Sequence, residues 1–178
     1  LSIDKIVDAV GKYPSRFVVI TGGEPLLAPE IEELSRSLKR AGAHITIETA
    51  GTIFKPVACD LVSMSPKLAN STPWKRAGGR FARMHEARRL NFAVMQKFLD
   101  AYDCQLKFVI DQPEDFAEFR ELLGKLEVEP ERVLMMAQGK TARQIQSKAK
   151  WIVEGCKRHG YRYTPRLHID LYGNRKGT

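Results

Sequence analysis

Phe17-Val18-Val19-Ile20-Thr21-Gly22-Gly23-Glu24-Pro25 is a short apolar run that stops in two glycines, a carboxylate and a proline. The apolar residues read as a buried strand, with the stop expected at the carboxyl edge of its sheet. Gly22 and Gly23 carry no side chain, so a ligand can come close to their carbonyls and the chain can take φ values closed to other residues. Glu24 adds two acceptor oxygens and a negative charge, and Pro25, lacking an N–H, ends the ladder. The group suits the α-amino end of an amino-acid-like ligand. An ordinary strand-to-helix turn shows the same Gly and Pro punctuation. A phosphate cradle is disfavoured, because no Lys-Ser/Thr follows and the glycine spacing fits neither the P-loop nor the dinucleotide fingerprint.

Helices and strands alternate on both sides of this stretch. Ile3, Ile6, Val7 and Val10 recur at helical spacing, a strand covers 16–21, and a helix runs over 31–40 with Pro29 before it and Gly42 after. Strands follow at 44–49 and at 60–65, where Pro66 stops the second. Residues 80–102 read as mostly helix and 105–110 as strand. Phe116, Phe119, Leu122, Leu123 and Leu126 form an apolar helical stripe that Pro130 closes, 133–137 is strand, and Thr141 caps a helix reaching Arg158. A last strand is expected at 167–171. Such alternation implies a parallel sheet with helices on one outer face, and parallel α/β enzymes bind ligands at the carboxyl ends of their strands.

With 178 residues, 43% of them hydrophobic and 28% charged, the chain can bury one substantial core, and one domain is the expected count. It contains no run of membrane-spanning length and no signal-peptide pattern, so no membrane partner is expected and the cytoplasm is the expected location. Cys59, Cys104 and Cys156 are far apart and read as isolated thiols rather than a disulfide framework. The net charge is +8. Its excess gathers at Lys75, Arg76, Arg80, Arg83, Arg88 and Arg89, and again at Lys157, Arg158, Arg162, Arg166, Arg175 and Lys176. A basic face of this kind can receive a small anionic substrate, track nucleic-acid phosphates or serve solubility. No helix-turn-helix, zinc finger or aromatic-basic signature accompanies it, so no nucleic-acid partner is expected, and a basic nucleic-acid-binding module remains a second reading.

Val19-Ile20-Thr21-Gly22-Gly23-Glu24-Pro25-Leu26-Leu27 resembles the SAM-ammonium motif of the radical S-adenosylmethionine (SAM) superfamily. The match continues in order through residues 45–52, Ser63-Met64-Ser65-Pro66-Lys67-Leu68 and Gln105-Leu106-Lys107-Phe108-Val109-Ile110. The closing Arg166-Leu167-His168-Ile169-Asp170-Leu171-Tyr172-Gly173-Asn174-Arg175-Lys176-Gly177 resembles the 7-carboxy-7-deazaguanine synthase family of queuosine and 7-deazapurine biosynthesis. The resemblance implies an α/β fold, a partial, modified (β/α) barrel of the radical SAM type with mostly parallel strands, as one core domain over 1–178. The stretch 53–58 is too short for a full helix and its loops, which fits such a barrel. A [4Fe–4S] cluster is implied too, held in the family by three closely spaced cysteines ahead of the Thr-Gly-Gly-Glu-Pro strand. No cysteine here precedes Thr21, and the chain opens in Leu1-Ser2-Ile3-Asp4. The first strand and cluster loop, with the protein ligand of an implied Mg²⁺, are therefore expected to be missing from this chain.

Site roles follow from the same resemblance. Gly22, Gly23 and Glu24 would bind the SAM ammonium, Ser65, Pro66 and Lys67 its ribose and carboxylate end, and Met136, Ala137, Gln138 and Gly139 would pass its adenine. Ala137 stands where the family usually has proline. Thr21, Glu48, His168 and the Thr178 carboxylate are the expected substrate contacts. On residue chemistry alone, Ser65 also reads as a turn residue, Gly139 as a turn before a helix, Glu48 as a polar strand end and His168 as a satisfied strand histidine. The implied reaction is ring contraction of 6-carboxy-5,6,7,8-tetrahydropterin to 7-carboxy-7-deazaguanine with loss of ammonia. It would need an external electron donor, and a homodimer is the family expectation. A cluster-less relative that binds SAM or a nucleotide, and another radical SAM branch with a different substrate, are the alternatives.

Overall fold

Strand alternation divides the sheet into two unlike faces. Along Cys104-Gln105-Leu106-Lys107-Phe108-Val109-Ile110 the even-numbered residues are buried and the odd ones half-exposed, and His44 to Thr49 alternates in the same way. The computed structural model describes residues 1–175, in which six strands form one all-parallel sheet in chain order: β1 (Phe17–Ile20), β2 (His44–Thr49), β3 (Leu61–Met64), β4 (Cys104–Ile110), β5 (Val133–Ala137) and β6 (Arg162–Tyr163). The sheet is open, with β1 and β6 at its edges. Glu48 pairs with Ser63, Ser63 with Gln105, and Lys107 with Leu134, so these residues share one face. Ile45, Ile47, Val62, Met64, Leu106, Phe108, Val133 and Met135 point the other way into the core.

Helices α1 (Ile3–Gly11), α2 (Ile31–Arg40), α3 (Ala82–Arg88), α4 (Phe92–Ala101), α5 (Asp115–Leu123), α6 (Ala142–His159) and α7 (Leu167–Tyr172) complete the described elements with four short 3₁₀ turns. α2 starts acidic at Glu32 and Glu33 and ends basic at Lys39 and Arg40, matching the helix dipole. Thr141 Oγ1 accepts from the Gln144 N–H at 3.3 Å to open α6, and Gly160 closes it at φ 73°. Phe119 on α5 meets Phe108 on β4 edge-on, with ring centroids 4.8 Å apart, so side-chain packing fixes where the helix crosses the sheet.

Three expectations need revision. β1 is an edge strand rather than a buried one: Phe17 and Val19 are 63% and 56% exposed and Val18 and Ile20 half-buried, because only β2 pairs with it. Residues 167–171 form a helix rather than a strand, and the last strand is the short β6 ahead of it. The apolar-polar alternation Leu167-His168-Ile169-Asp170-Leu171 imitates a strand. Only Ile169 is buried, while Leu167 and Leu171 are 60% and 62% exposed, one helical turn apart on the outer side. The helix expected over 80–102 is interrupted after Arg88, where Asn91 starts α4 afresh by accepting from the Val94 N–H at 3.3 Å. Residues 53–58 hold no helix, as the short spacing requires.

Asp60, just before β3, ties that strand to β2 and α2. Lys39 Nζ donates to both of its oxygens at 2.8 and 2.9 Å, and the Ile45 N–H donates to Oδ2 at 2.7 Å. The bond from Lys39, followed by that from Ile45, holds the Asp60 carboxyl below the usual carboxylate range. A depressed folded-state pKa gives stability that is present above the unfolded value and lost as pH falls through the folded one. Asp60→Asn is therefore expected to be less stable than wild type at neutral pH and to lose less on acidification below about pH 4, in denaturant titrations across that range. Parallel acid dependence of the two proteins would contradict this.

Candidate active site

Thr21, Gly22 and Gly23 leave β1 at its carboxyl end and form one wall of a cleft of about 450 Å³. Gly22 takes φ 152°, outside the range favourable to side chains, and both glycines look onto open space. Among the described residues neither glycine carbonyl accepts a backbone hydrogen bond. Glu24 turns away from the cleft. Its carboxylate accepts from Thr49 Oγ1 at 2.8 and 2.9 Å, the Ala50 N–H at 2.9 Å and the Leu26 N–H at 3.2 Å. It thus caps the 3₁₀ turn Pro25–Leu27 and fastens the end of β1 to the end of β2. Among the described residues, the Gly22 and Gly23 carbonyls remain open as acceptors.

Glu48 faces the cleft from β2, where Oε1 accepts from Lys107 Nζ at 2.9 Å and Oε2 from Thr21 Oγ1 at 3.3 Å. Ser65 follows β3, its N–H donating to the Thr49 carbonyl at 2.8 Å, and Pro66 beside it is buried. Lys67 lines the same cleft with no side-chain hydrogen bond or ion pair among the described residues. Although water reaches it, crowding by protein atoms, and next the Lys107 charge, hold its ammonium below the ordinary lysine range, against the pull of Glu24 and Glu48. Its backbone is pinned from below: Arg89 donates to the Lys67 carbonyl at 2.8 Å while pairing with Glu86 and Glu118, each at 2.7 Å.

Met136 lines the cleft from β5. Ala137 is buried, and Gln138 is spent on its backbone, the N–H donating to Ile110 O at 2.8 Å and the carbonyl accepting from Lys148 Nζ at 2.9 Å. Gly139 packs against α6, where a Cβ would stand 2.8 Å from Ile145 Cγ1. Arg166 Nη1 donates to the Gly139 carbonyl at 3.1 Å, while its buried Nε has no partner among the described residues. His168, on α7, is exposed at the mouth of the cleft. Thr178 lies outside the described residues. Lys107 and Arg166 reach the cleft without having been assigned roles from sequence. A lysine between the buried Leu106 and Phe108 was the available signal for the first, since alternation forces it onto the open face.

A larger cavity of about 580 Å³ opens at the amino edge of the sheet between α1, β1 and α2. None of the motif residues reaches it, and ligands of parallel sheets belong at the other edge. The cysteines lie toward that amino edge too. Cys59 precedes β3, Cys104 opens β4, and Cys156 Sγ lies 3.5 Å from the carbonyl of Arg162, where β6 begins. Burial pushes the Cys59 thiol up to about 11 and Cys104 to about 12, and raises Cys156 as well. Thiols whose ionisation is disfavoured, and which form no group of three metal ligands among the described residues, do not fit an iron–sulfur cluster, which needs converging thiolates. A triple Cys→Ala variant is expected to take up as much iron and sulfide as the parent protein. A fall would place a ligand among the three.

SAM fits better: two bare carbonyls suit its ammonium, and an unpaired lysine suits its carboxylate.

No family model matches the chain. It is 39% identical over 178 residues to the 7-carboxy-7-deazaguanine synthase of Rhodopirellula baltica, covering 99% of this chain and 69% of that protein. To the 7-carboxy-7-deazaguanine synthase of Halobacterium salinarum it is 38% identical, covering 98% of this chain and 72% of that one. The crystal structure of QueE from Escherichia coli superposes with a TM-score of 0.65 at 23% identity, over 93% of this chain and 64% of that one, a likeness of fold.

Proposed function

Because the chain belongs to the 7-carboxy-7-deazaguanine synthase family, we propose that its cleft serves the ring contraction of 6-carboxy-5,6,7,8-tetrahydropterin to 7-carboxy-7-deazaguanine with release of ammonia. One observation carries the reading: free glycine carbonyls, an unpaired lysine and a tethered carboxylate meet in one cleft at the carboxyl edge of a parallel sheet. The Gly22 and Gly23 carbonyls receive the SAM ammonium, and Lys67 neutralises its carboxylate. Glu24 acts indirectly by fixing the loop that aims those carbonyls. Ser65 and Pro66 set the ribose side, and the segment from Met136 through Ala137 and Gln138 to Gly139 borders the adenine.

Thr21, Glu48 and His168 face the pterin. Bound SAM would supply, on cleavage by one electron from the external donor with release of methionine, a 5′-deoxyadenosyl radical for hydrogen abstraction from the substrate. The protein's part is to hold both molecules in register and to present fixed dipoles. The three cysteines do not fit a cluster, and no step is assigned to one held by them. Mg²⁺ at the substrate carboxylate, an external electron donor, a homodimer, a single core domain and a cytoplasmic location belong to the same proposal. No helix of the described residues is long and apolar enough to cross a membrane.

Product analysis tests the reading. Anaerobic incubation of the iron- and sulfide-reconstituted whole protein with SAM, a reductant and 6-carboxy-5,6,7,8-tetrahydropterin should yield 7-carboxy-7-deazaguanine and ammonia by mass spectrometry and ammonia assay. SAM cleavage without the deazaguanine would defeat the substrate assignment, and absence of SAM cleavage would defeat the radical reading.

A further inference from the structure

Lys107 stands two residues beyond Gln105 on β4, and its Nζ crosses the narrow β3 to reach Glu48 on β2. The β3 residue in register with Glu48 is Ser63, small, buried and occupied as the acceptor of a 3.0 Å bond from Gln105 Nε2, so no large side chain of β3 stands beside Glu48. Gln105 is itself held by Arg162 at 3.3 Å, so the floor beneath the pair satisfies its own hydrogen bonds. Within the pair, the Lys107 side chain is 18% exposed and that of Glu48 39%, placing the cation below and the carboxylate toward the cleft. A carboxylate offers about four acceptor positions. Lys107 and Thr21 occupy one on each oxygen, which leaves both oxygens able to accept again.

A half-buried pair of this sort contributes little net stability, since desolvation offsets the attraction. Its consequence is directional. Fixed from below, the two oxygens are aligned to receive two adjacent N–H groups, the geometry of bidentate recognition. Resting on the reading of the cleft as a pterin site, we propose that Lys107 is a positioning residue that holds Glu48 as the acceptor for the N–H edge of the substrate ring, and thereby sets selectivity for a 2-amino heterocycle over its 2-oxo analogue. Because Lys107 engages Glu48, Lys67 is left with no side-chain ion pair among the described residues.

Titration calorimetry on the full chain with saturating SAM tests this with 6-carboxypterin and 6-carboxylumazine, which differ in the 2-amino group. Wild type is expected to prefer the pterin by about tenfold or more, the worth of one charge-assisted hydrogen bond. Lys107→Met should bring the ratio to within about threefold of unity, and Lys107→Arg should restore most of it, with SAM affinity and the melting temperature reported for each. An unchanged ratio in a folded Lys107→Met, or equal weakening toward both pteridines, would overturn the proposal. Should Lys107→Met fail to fold, Lys107→Arg decides: selectivity near that of wild type supports the proposal, and selectivity lost with SAM binding intact opposes it. If wild type binds neither pteridine, the pterin reading of the cleft itself falls. If wild type discriminates and a folded Lys107→Met discriminates equally, the role of Lys107 alone falls.

Discussion

Replacing Glu24 by alanine should abolish measurable SAM binding and lower the melting temperature by about 6–12 °C. The carboxylate is the common acceptor for the Leu26 N–H, the Ala50 N–H and the Thr49 hydroxyl, all at the carboxyl edge of the sheet. Truncation strands donors in a partly buried loop, at a cost of about 1–3 kcal/mol for each left without a partner. Water reaching the loop recovers part of that, and a net loss of about 3 kcal/mol is expected. The loss falls on the segment that carries Gly22 and Gly23, so binding is affected along with stability. Glu24→Asp keeps the charge but shortens the reach. It should retain more stability than Glu24→Ala and still bind SAM poorly. Calorimetric SAM titration together with thermal unfolding checks this, and a Glu24→Ala protein with wild-type affinity would contradict the assigned role.

Glu48→Gln should act on the other ligand. The amide keeps the shape but loses the charge and one of two acceptor oxygens, so bonds from substrate N–H groups weaken and Lys107 loses its counter-charge. Substrate affinity is expected to fall about tenfold to a hundredfold, with SAM affinity within about threefold of wild type. The split matters more than the size. Equal weakening of both ligands would mean that Glu48 maintains the cleft as a whole and does not meet the substrate.

The parallel architecture is readable from residue patterns, because β2, α2 and β5 coincide with apolar runs bounded by Pro29, Gly42 and Thr141. α7 was not readable as a helix. Leu167, Ile169 and Leu171 alternate as strand residues do, and only the packed structure shows that Ile169 alone is buried. The division of labour within Thr21-Gly22-Gly23-Glu24-Pro25 was hidden as well. A carboxylate after two glycines reads as a ligand group, yet its partners Thr49 and Ala50 come from a strand some 25 residues away. Lys107 and Arg166 were missed for a related reason. A strand lysine shows its face by alternation, but its partner on β2 depends on sheet register, and Arg166 reaches Gly139 across the loops after β5 and β6.

The most direct test of the site assignment is a crystal structure of the protein with SAM and 6-carboxypterin bound. The SAM α-amino nitrogen is expected at about 2.7–3.2 Å from a Gly22 or Gly23 carbonyl, the methionyl carboxylate at Lys67 and the pterin 2-amino group on Glu48. SAM lodged in the cavity between α1, β1 and α2, or bound at the cleft with its carboxylate away from Lys67 and its amine away from both glycines, would contradict it.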